Sequence, residues 1–164
     1  MVVLGIDPGS KVLGYGLVLE QGSQLRYLIS GVLELSSKDT MEQRLAAIHL
    51  ALAQIVDTHH PHQVAMEEAF SHKNVQSALV LGQVRGAVMA LAGLKGVPVF
   101  HYAPRTIKKA VTGHGEAEKF QVQQMVGLLL GTDLTQRTDE SDALACALCH
   151  LQNLPAQRWA AEPT

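Results

Sequence analysis

The sequence has 164 residues, 47% of them hydrophobic, and a formal net charge of −2. This length suits one globular domain with a substantial core, and the charge excludes the overall basicity of a typical nucleic-acid-binding protein. The first residues lack a basic segment before an apolar one, and the most apolar region, residues 78–99, is interrupted by Arg85 and Lys95. We therefore expect no signal peptide, no membrane span and a cytoplasmic location.

Short apolar runs alternate with turn residues in the first third of the chain. Residues 2–6, 13–19 and 25–35 are strand-like, and Asp7-Pro8-Gly9-Ser10 and Gln21-Gly22-Ser23 lie between them as turns. This order predicts a three-stranded antiparallel meander.

The spacing of apolar residues changes to a helical period at Thr40. Thr40 and Gln43 are placed as a capping box and Pro61 lies beyond the end, so the sequence predicts a helix over residues 40–58. Its apolar stripe consists of Met41, Leu45, Ile48, Leu52 and Ile55.

Two further strands and four further helices are predicted after this helix. Apolar runs at 64–66 and 97–102 flank a helical pattern at 73–93, and such a strand-helix-strand order implies parallel pairing. Three more helices are predicted at residues 103–111, 117–130 and 139–151. The expected fold is α/β, with a mixed five-stranded sheet flanked by helices in one domain, 1–155, and a frayed tail, 156–164.

The last helical pattern contains both cysteines, Cys146 and Cys149. Two cysteines three residues apart on a helix do not make a disulfide framework, so reduced thiols are expected. His150 completes a haem-attachment string, but that chemistry belongs to exported proteins, and we expect no haem.

Acidic residues stand where strands end and where the last helix begins. They are Asp7 after the first strand, Glu67 or Glu68 after the fourth, and Asp139 and Asp142 in the first turn of the last helix. Glu67 and Glu68 point to opposite faces of a strand, so only one can reach a shared site. Taken singly, each acid is an ordinary turn residue, solvated charge or helix cap.

Taken together, these acids indicate a metal-dependent nuclease. Strand ends and a helix N-terminus can meet at one rim of a sheet, where two carboxylates repel by about 4 kcal/mol at a protein-like dielectric. A divalent cation removes that repulsion, and oxygen ligands suit Mg²⁺ or Mn²⁺. Two such ions can support in-line displacement at phosphorus.

A cationic segment lies between the predicted carboxylates. No acidic residue occurs between Glu68 and Glu116. The basic residues and histidines there are Lys73, Arg85, Lys95, Arg105, Lys108, Lys109, His72, His101 and His114. The pattern favours nucleic acid beside the acids, although a solvated face would look the same.

Several motifs follow one another in the order found in one nuclease family. They are Gly5-Ile6-Asp7-Pro8-Gly9-Ser10 with Gly14-Tyr15-Gly16, Met66-Glu67-Glu68-Ala69-Phe70, Leu81-Gly82-Gln83 with Arg85-Gly86, Ala117-Glu118-Lys119, and Asp139 with Asp142-Ala143-Leu144-Ala145. From residue 4 to about residue 150 the sequence resembles the RuvC family of Holliday junction resolvases. The resemblance implies a ribonuclease-H-like fold, a homodimer, symmetric nicking of four-way DNA junctions, and RuvA and RuvB as branch-migration partners.

The resemblance also implies the metal ligands. The family's four acids correspond to Asp7, Glu67, Asp139 and Asp142, which favours Glu67 over Glu68. Two Mg²⁺ ions per active site are expected, with Mn²⁺ able to substitute.

DNA contacts are implied on the cationic segment and its flanks. Lys119, counted among the catalytic residues, and Lys108 match lysines near the cleaved strand, and Phe70 matches an aromatic that contacts unstacked bases. Solvated lysines and a core phenylalanine are the alternatives. Further candidates that no motif distinguishes are Lys73, Arg105 and Lys109. Phe120, where the family pattern leads us to expect a smaller or polar residue, and His114 are either DNA contacts or ordinary core and turn residues.

The helix predicted at 73–93 has small residues at four-residue spacing. Gly82, Gly86 and Ala90 cost helix propensity but permit close backbone approach. The face they form packs either on the sheet or, as the resemblance implies, on a second copy of the chain.

Three other functions remain open at this stage. A related nuclease could act on RNA or another branched structure, since fold does not fix substrate. Asp7 and Gly9 with Gly14 and Gly16 also resemble the phosphate loop of an actin-like ATPase, which needs two such halves. A non-catalytic junction-binding protein would have lost one of the four acids, all of which are present.

Overall fold

Within the part of the chain that the structure describes, five strands form one mixed sheet, with the order β3-β2-β1-β4-β5. The computed structural model describes residues 1–68, 75–134 and 138–160. The strands are β1 (Val2–Asp7), β2 (Val12–Gln21), β3 (Gln24–Glu34), β4 (Gln63–Glu67) and β5 (Val99–Tyr102). The first three pair antiparallel, and β4 pairs parallel with both β1 and β5. The predicted meander, parallel crossovers and five-stranded mixed sheet are confirmed.

Among the described residues, five helices cover the two faces of the sheet. They are α1 (Met41–His59), α2 (Val75–Leu94), α3 (Pro104–Thr112), α4 (Lys119–Leu130) and α5 (Thr138–Ala160). The capping box predicted for α1 is present, since the Gln43 N–H donates to the Thr40 hydroxyl and the Thr40 N–H donates to the Gln43 side chain.

Helix α5 extends beyond its predicted end at residue 151. The reason is packing: Leu151 and Leu154 are buried, so the apolar side of the helix continues past the predicted stop and the backbone stays helical to Ala160. The predicted frayed tail therefore overlaps helical backbone at 156–160, and residues 161–164 lie outside the described residues. The boundary of the domain at residue 155 stays a prediction.

Two hydrophobic clusters lie on opposite faces of the sheet. Helices α1 and α2 pack with one face through residues such as Leu52 and Val88. Helices α3, α4 and α5 cover the other face, where Leu144 and Leu148 are fully buried. Cys146 and Cys149 lie in this second cluster as free, buried thiols, in agreement with the prediction of reduced cysteines.

Glycines on β1 and β2 let α5 lie directly on the sheet. Gly5 pairs with Gly16 across the two strands, and Asp7 pairs with Gly14. A Cβ atom on Gly5 would lie 1.9 Å from the Ala143 carbonyl oxygen, and one on Gly14 would lie 2.2 Å from that of Asp139. Only glycine permits this approach, which brings the first turn of α5 down to the end of β1.

Helix α2 is more exposed than α5. By length and composition alone it could cross a membrane. Val84 and Val88 are buried against the core, whereas Leu79 is 64% exposed and Met89 is 41% exposed. Composition alone does not separate a membrane span from the core helix of a globular domain, and the buried Val84 and Val88 favour the core helix.

Candidate active site

The first two carboxylates of the site come from adjacent strand ends. Asp7 is the last residue of β1 and Glu67 the last of β4, and the register Ile6↔Met66 brings these ends side by side. Ala65, two residues before Glu67, packs in the cluster of α3, α4 and α5, so strand alternation points the Glu67 side chain to that face.

Glu68 faces the other way. Its N–H donates to the Tyr102 carbonyl at 2.9 Å, which keeps it in register with β5, and its charge acts on His101 on the α2 side. Of the two glutamates, Glu67 alone lines a cavity together with Asp7, which favours Glu67 as the candidate site residue.

Helix α5 supplies the other two carboxylates. Asp139 in its first turn and Asp142 one turn later are both half-buried, and the Asp139 backbone contacts Gly14. The side chain of Asp142 is 16% exposed. The close approach of α5 to the sheet therefore places an acid of the helix beside the two strand ends.

A cavity of about 290 Å³ joins these residues to two lysines. Its charged lining is Asp7, Glu67, Asp142, Lys108 and Lys119, over an apolar wall that includes Ile107 and Val122. Asp139 does not line the cavity, but its charge raises the pKa of Asp7, which places it at the rim of the same cluster.

The clustered carboxylates oppose one another's ionisation. Burial first, and then the charges of Glu67 and Asp142, raise the pKa of Asp7 to about 7. Burial and the charge of Asp142 also raise the pKa of Glu67. Desolvation and like charge both disfavour an ionised carboxylate, so this group of acids is destabilising without a cation.

The two lysines bring the opposing charge. Lys119 is the first residue of α4, and its ammonium donates to Asp142 Oδ2 at 2.9 Å, the main cause of its raised pKa. Lys108 lines the cavity from α3, and its charge lowers the pKa of Glu67. Both lysines predicted near the cleaved strand thus lie at the carboxylates.

The chemistry of this donor set fits a divalent cation. Within residues 1–68, 75–134 and 138–160, no three His, Cys, Asp or Glu side chains are arranged as metal ligands as they stand, and the Lys119 ammonium lies against Asp142. The carboxylates of Asp7, Glu67 and Asp142 nevertheless line one cavity, and burial together with their like charges raises the pKa of Asp7; oxygen-binding cations such as Mg²⁺ or Mn²⁺ would favour the ionised carboxylates there.

The other predicted DNA contacts lie farther along the surface. Arg105 and Lys109 line an open groove of about 930 Å³ on the outer side of α3, together with His114. Arg105 forms an ion pair there with Glu116. The predicted contacts Phe70 and Lys73 lie outside the described residues.

Phe120 is not a core residue. It follows Lys119 on α4 and is 60% exposed, which excludes the core interpretation and leaves an aromatic ring on the surface, where it lines a groove with His114 and Leu128.

The sequence did not predict the residues that form hydrogen bonds with the strands and the helix that carry the acids. Arg85 donates to the Glu67 carbonyl, His150 bonds with Tyr102, and Ser30 donates to Glu140 between the two acids of α5. The available signal was a polar residue inside an apolar helical pattern, which describes both Arg85 and His150.

Comparison with known proteins gives one consistent result. The family profile described as crossover junction endodeoxyribonuclease RuvC matches residues 3–150. A protein of that name from Chromohalobacter salexigens is 46% identical over 149 residues, covering 91% of this chain and 80% of the relative. Another from Dichelobacter nodosus is 45% identical over 159 residues, covering 95% and 90%.

Solved structures agree with the sequence comparison. Thermus thermophilus RuvC in complex with a Holliday junction substrate superposes with a TM-score of 0.89 at 37% identity, covering 100% of this chain and 99% of that one. The ribonuclease-H-like fold is thereby confirmed.

Proposed function

The chain belongs to the RuvC family of crossover junction endodeoxyribonucleases, and we propose that it cuts its substrate with two divalent metal ions held by Asp7, Glu67, Asp139 and Asp142. It is a Holliday junction resolvase of DNA recombination and repair, and its family is metal-dependent. The observation that carries the proposed site is the convergence of three carboxylates and two lysines on one cavity.

Mg²⁺ is the proposed ion, with Mn²⁺ able to substitute. Bound metal would supply positive charge for water activation and for the leaving oxygen. The chain's own carboxylates determine where the metal would bind, and their burial limits the access of bulk water to that position. At neutral pH the Asp7 carboxyl, with a pKa near 7, is about half protonated without metal, so cation binding displaces a proton there.

The lysines of the cavity act on the phosphate. Lys119 and Lys108 bring positive charge to the cavity that Asp7 lines, where it would stabilise an incoming phosphodiester. We propose that Lys119 acts as a catalytic residue by stabilising the charge that develops on the phosphate, and that Lys108 contacts the phosphate oxygens.

A longer DNA path is proposed over α3 and α4. Arg105 and Lys109 offer phosphate contacts one helix face away from Lys108, and exposed Phe120 offers a stacking surface for a base. Phe70 stays a candidate contact for unstacked bases by family resemblance, and Lys73 stays a candidate phosphate contact that no motif distinguishes. His114 shares the groove with Arg105, although nothing in the structure gives it a specific role.

The proposed assembly is a homodimer through α2. Exposed Leu79 and Met89 lie on this helix with Gly82 and Gly86, where an added Cβ would meet nothing within 4 Å. An open face of small and apolar residues suits close contact with a second copy, and a two-fold axis would present two equivalent sites for symmetric nicking. RuvA and RuvB as partners, and a cytoplasmic location, are proposed from the family alone.

A junction cleavage assay tests this function. Purified protein with Mg²⁺ or Mn²⁺ should nick a mobile synthetic four-way junction at two symmetric positions, and Asp7→Asn should abolish cutting while leaving binding intact. Asp39→Asn, which removes an exposed acid that does not line the cavity, is the matched control and should cut normally. Equal cutting of linear duplex, or an active Asp7→Asn variant, would overturn the proposal.

A further inference from the structure

The guanidinium of Arg85 holds the end of β4 from the face opposite the carboxylates. Its Nη1 donates to the Glu67 carbonyl oxygen at 3.1 Å, and its Nη2 lies 3.2 Å from Nδ1 of His101. Arg85 belongs to α2, His101 to β5 and Glu67 to β4, so one side chain joins three elements.

This contact falls where regular strand pairing stops. The register between β1 and β4 ends at Ile6↔Met66, one residue before Glu67. On the other edge, the Glu68 N–H still donates to the Tyr102 carbonyl at 2.9 Å. Arg85 therefore adds a hydrogen bond to the backbone at the residue whose side chain enters the cavity.

The partner of the second nitrogen is a neutral imidazole. A guanidinium has only donors, so His101 Nδ1 accepts and the ring carries its proton on Nε2. Burial and the charge of Arg85 both lower the pKa of His101, while Glu68 acts in the opposite direction. The two acceptors, a carbonyl and a ring nitrogen, fit the fork of an arginine better than the single ammonium of a lysine.

We propose that Arg85 is a positioning residue for Glu67, holding the end of β4 so that the Glu67 carboxylate stays at the metal-binding cavity. The inference rests on the proposed role of Glu67 as a metal ligand. Because Arg85 lies on α2 between Gly82 and Gly86, the helix proposed for dimer contact also fixes part of the active site. Docking of a partner on α2 is thereby linked to the geometry of cleavage.

Removal of the side chain should impair cleavage without impairing DNA binding. Arg85→Ala should cut a four-way junction about 10- to 100-fold more slowly, since small displacements of a catalytic group carry such costs. Junction affinity in EDTA should stay within about twofold, because Arg85 is not among the proposed phosphate contacts. In Arg85→Ala, the Mn²⁺ concentration that gives half of the maximal increase in melting temperature should be higher than in the parent protein.

Three comparisons separate positioning from general stability. Methylguanidinium at millimolar concentration should restore part of the cleavage rate of Arg85→Ala, whereas urea at the same concentration should not. Arg85→Lys should keep intermediate activity. Arg26→Ala, which removes an exposed arginine on β3, is the matched control and should behave as the parent protein.

Hydrogen exchange gives a readout that needs neither metal nor DNA. In the metal-free protein, exchange of the Glu68 amide should be about tenfold faster in Arg85→Ala than in the parent and unchanged in Arg26→Ala. Hydrogen exchange therefore tests the role of Arg85 independently of the metal site. If the parent protein fails to bind Mn²⁺ or to cut, the metal site is refuted, but the exchange rate of the Glu68 amide still shows whether Arg85 holds the end of β4.

The inference is overturned if Arg85→Ala cleaves junctions, responds to Mn²⁺ and exchanges the Glu68 amide at the same rates and concentrations as the parent protein. It is also overturned if the variant loses as much junction binding as cleavage. If Arg85→Ala does not fold, the same measurements on Arg85→Lys decide, with parental values counting against the proposal.

Discussion

The helices on the two faces of the sheet differ in how closely they pack and in how much charge they bring to the protein interior. On one face, α5 lies so close to β1 and β2 that glycine is required beneath it, and it brings acids to a buried cluster of like charge. On the other face, α2 has open space around its glycines and exposed apolar side chains. The first face carries the proposed site and is destabilised by its own charges. The second supports the strand ends and carries the surface proposed for a second copy of the chain.

Glycine substitutions should show the largest difference between the faces. Gly5→Ala would place a Cβ 1.9 Å from the Ala143 carbonyl, so α5 would have to move off the sheet. We expect a loss of about 3 kcal/mol or more in the free energy of unfolding, measured by urea denaturation. A Gly5→Ala variant of parental stability would contradict the close packing of α5.

Gly82→Ala on α2 is the matched substitution on the other face. Nothing lies within 4 Å of the added Cβ, and alanine favours helix, so protomer stability should stay equal or rise by about 0.5–1 kcal/mol. If α2 is the dimer contact, sedimentation should show weaker dimerisation for this variant. An unchanged dimer would direct the search for the interface to another surface.

Removal of one acid from the crowded face should stabilise the metal-free protein. Asp7 has a folded pKa of about 7 against an ordinary value of 3.8, so its contribution to stability is present below pH 3.8 and is lost as pH rises towards 7. Asp7→Asn should therefore exceed the parent by about 1–3 kcal/mol at pH 7.5, with the difference shrinking towards pH 4. Mg²⁺ should stabilise the parent more than the variant.

Urea denaturation across this pH range, with and without Mg²⁺, measures the effect. Asp39→Asn should follow the parent at every pH, because its carboxyl is exposed. A lower stability of Asp7→Asn at pH 7.5 would mean that the Asp7 carboxylate is compensated in the folded protein.

The succession of strands along the chain and the positions of the four acids at strand and helix ends were predictable from the sequence, because both depend on local pattern; the acids' role as metal ligands stays a prediction. Strand alternation and turn residues located Asp7 and Glu67 at strand ends, and the first turn of a helix is evident from Asp139 and Asp142. Pairing of β1 with β4 was needed to choose Glu67 over Glu68 on physical grounds.

Contacts between distant elements could not be predicted in this way. Arg85 looked like one of several cations in an acid-free segment, and only the packing of α2 on the sheet shows that it reaches the Glu67 backbone. The end of α5 was similarly hidden, because burial of Leu154 depends on the tertiary core.

A buried hydrogen-bond network should make the α5 face sensitive to acid. The Tyr102 hydroxyl lies 2.7 Å from His150 Nδ1, and His150 Nε2 lies 2.6 Å from Gln63 Oε1. Burial lowers the pKa of His150 to about 4, so its contribution to stability is complete above pH 6.5 and is lost as pH falls through 4.

Tyr102→Phe should cost about 1–2 kcal/mol in the free energy of unfolding at pH 7, because it leaves a buried ring nitrogen without its donor. Tyr27→Phe, which removes a half-buried hydroxyl bonded to Ser30, should cost less. If the two variants lose the same free energy of unfolding, the hydrogen bond from Tyr102 to His150 stabilises the protein no more than the half-buried contact of Tyr27 with Ser30 does.

Phe120 gives the smallest expected change in stability and a selective change in DNA binding. Its ring is 60% exposed, so Phe120→Ala should alter the free energy of unfolding by less than about 0.5 kcal/mol. If the ring stacks on a base beside the cavity, its loss should weaken junction binding by about 1 kcal/mol, or about fivefold in Kd. Leu128→Ala removes a 76% exposed side chain from the far end of α4 and should leave binding unchanged. If Phe120→Ala and Leu128→Ala lose the same junction affinity in a gel-shift titration, the apolar surface of α4 contributes to binding without a specific contact from the Phe120 ring, and the stacking proposal is wrong.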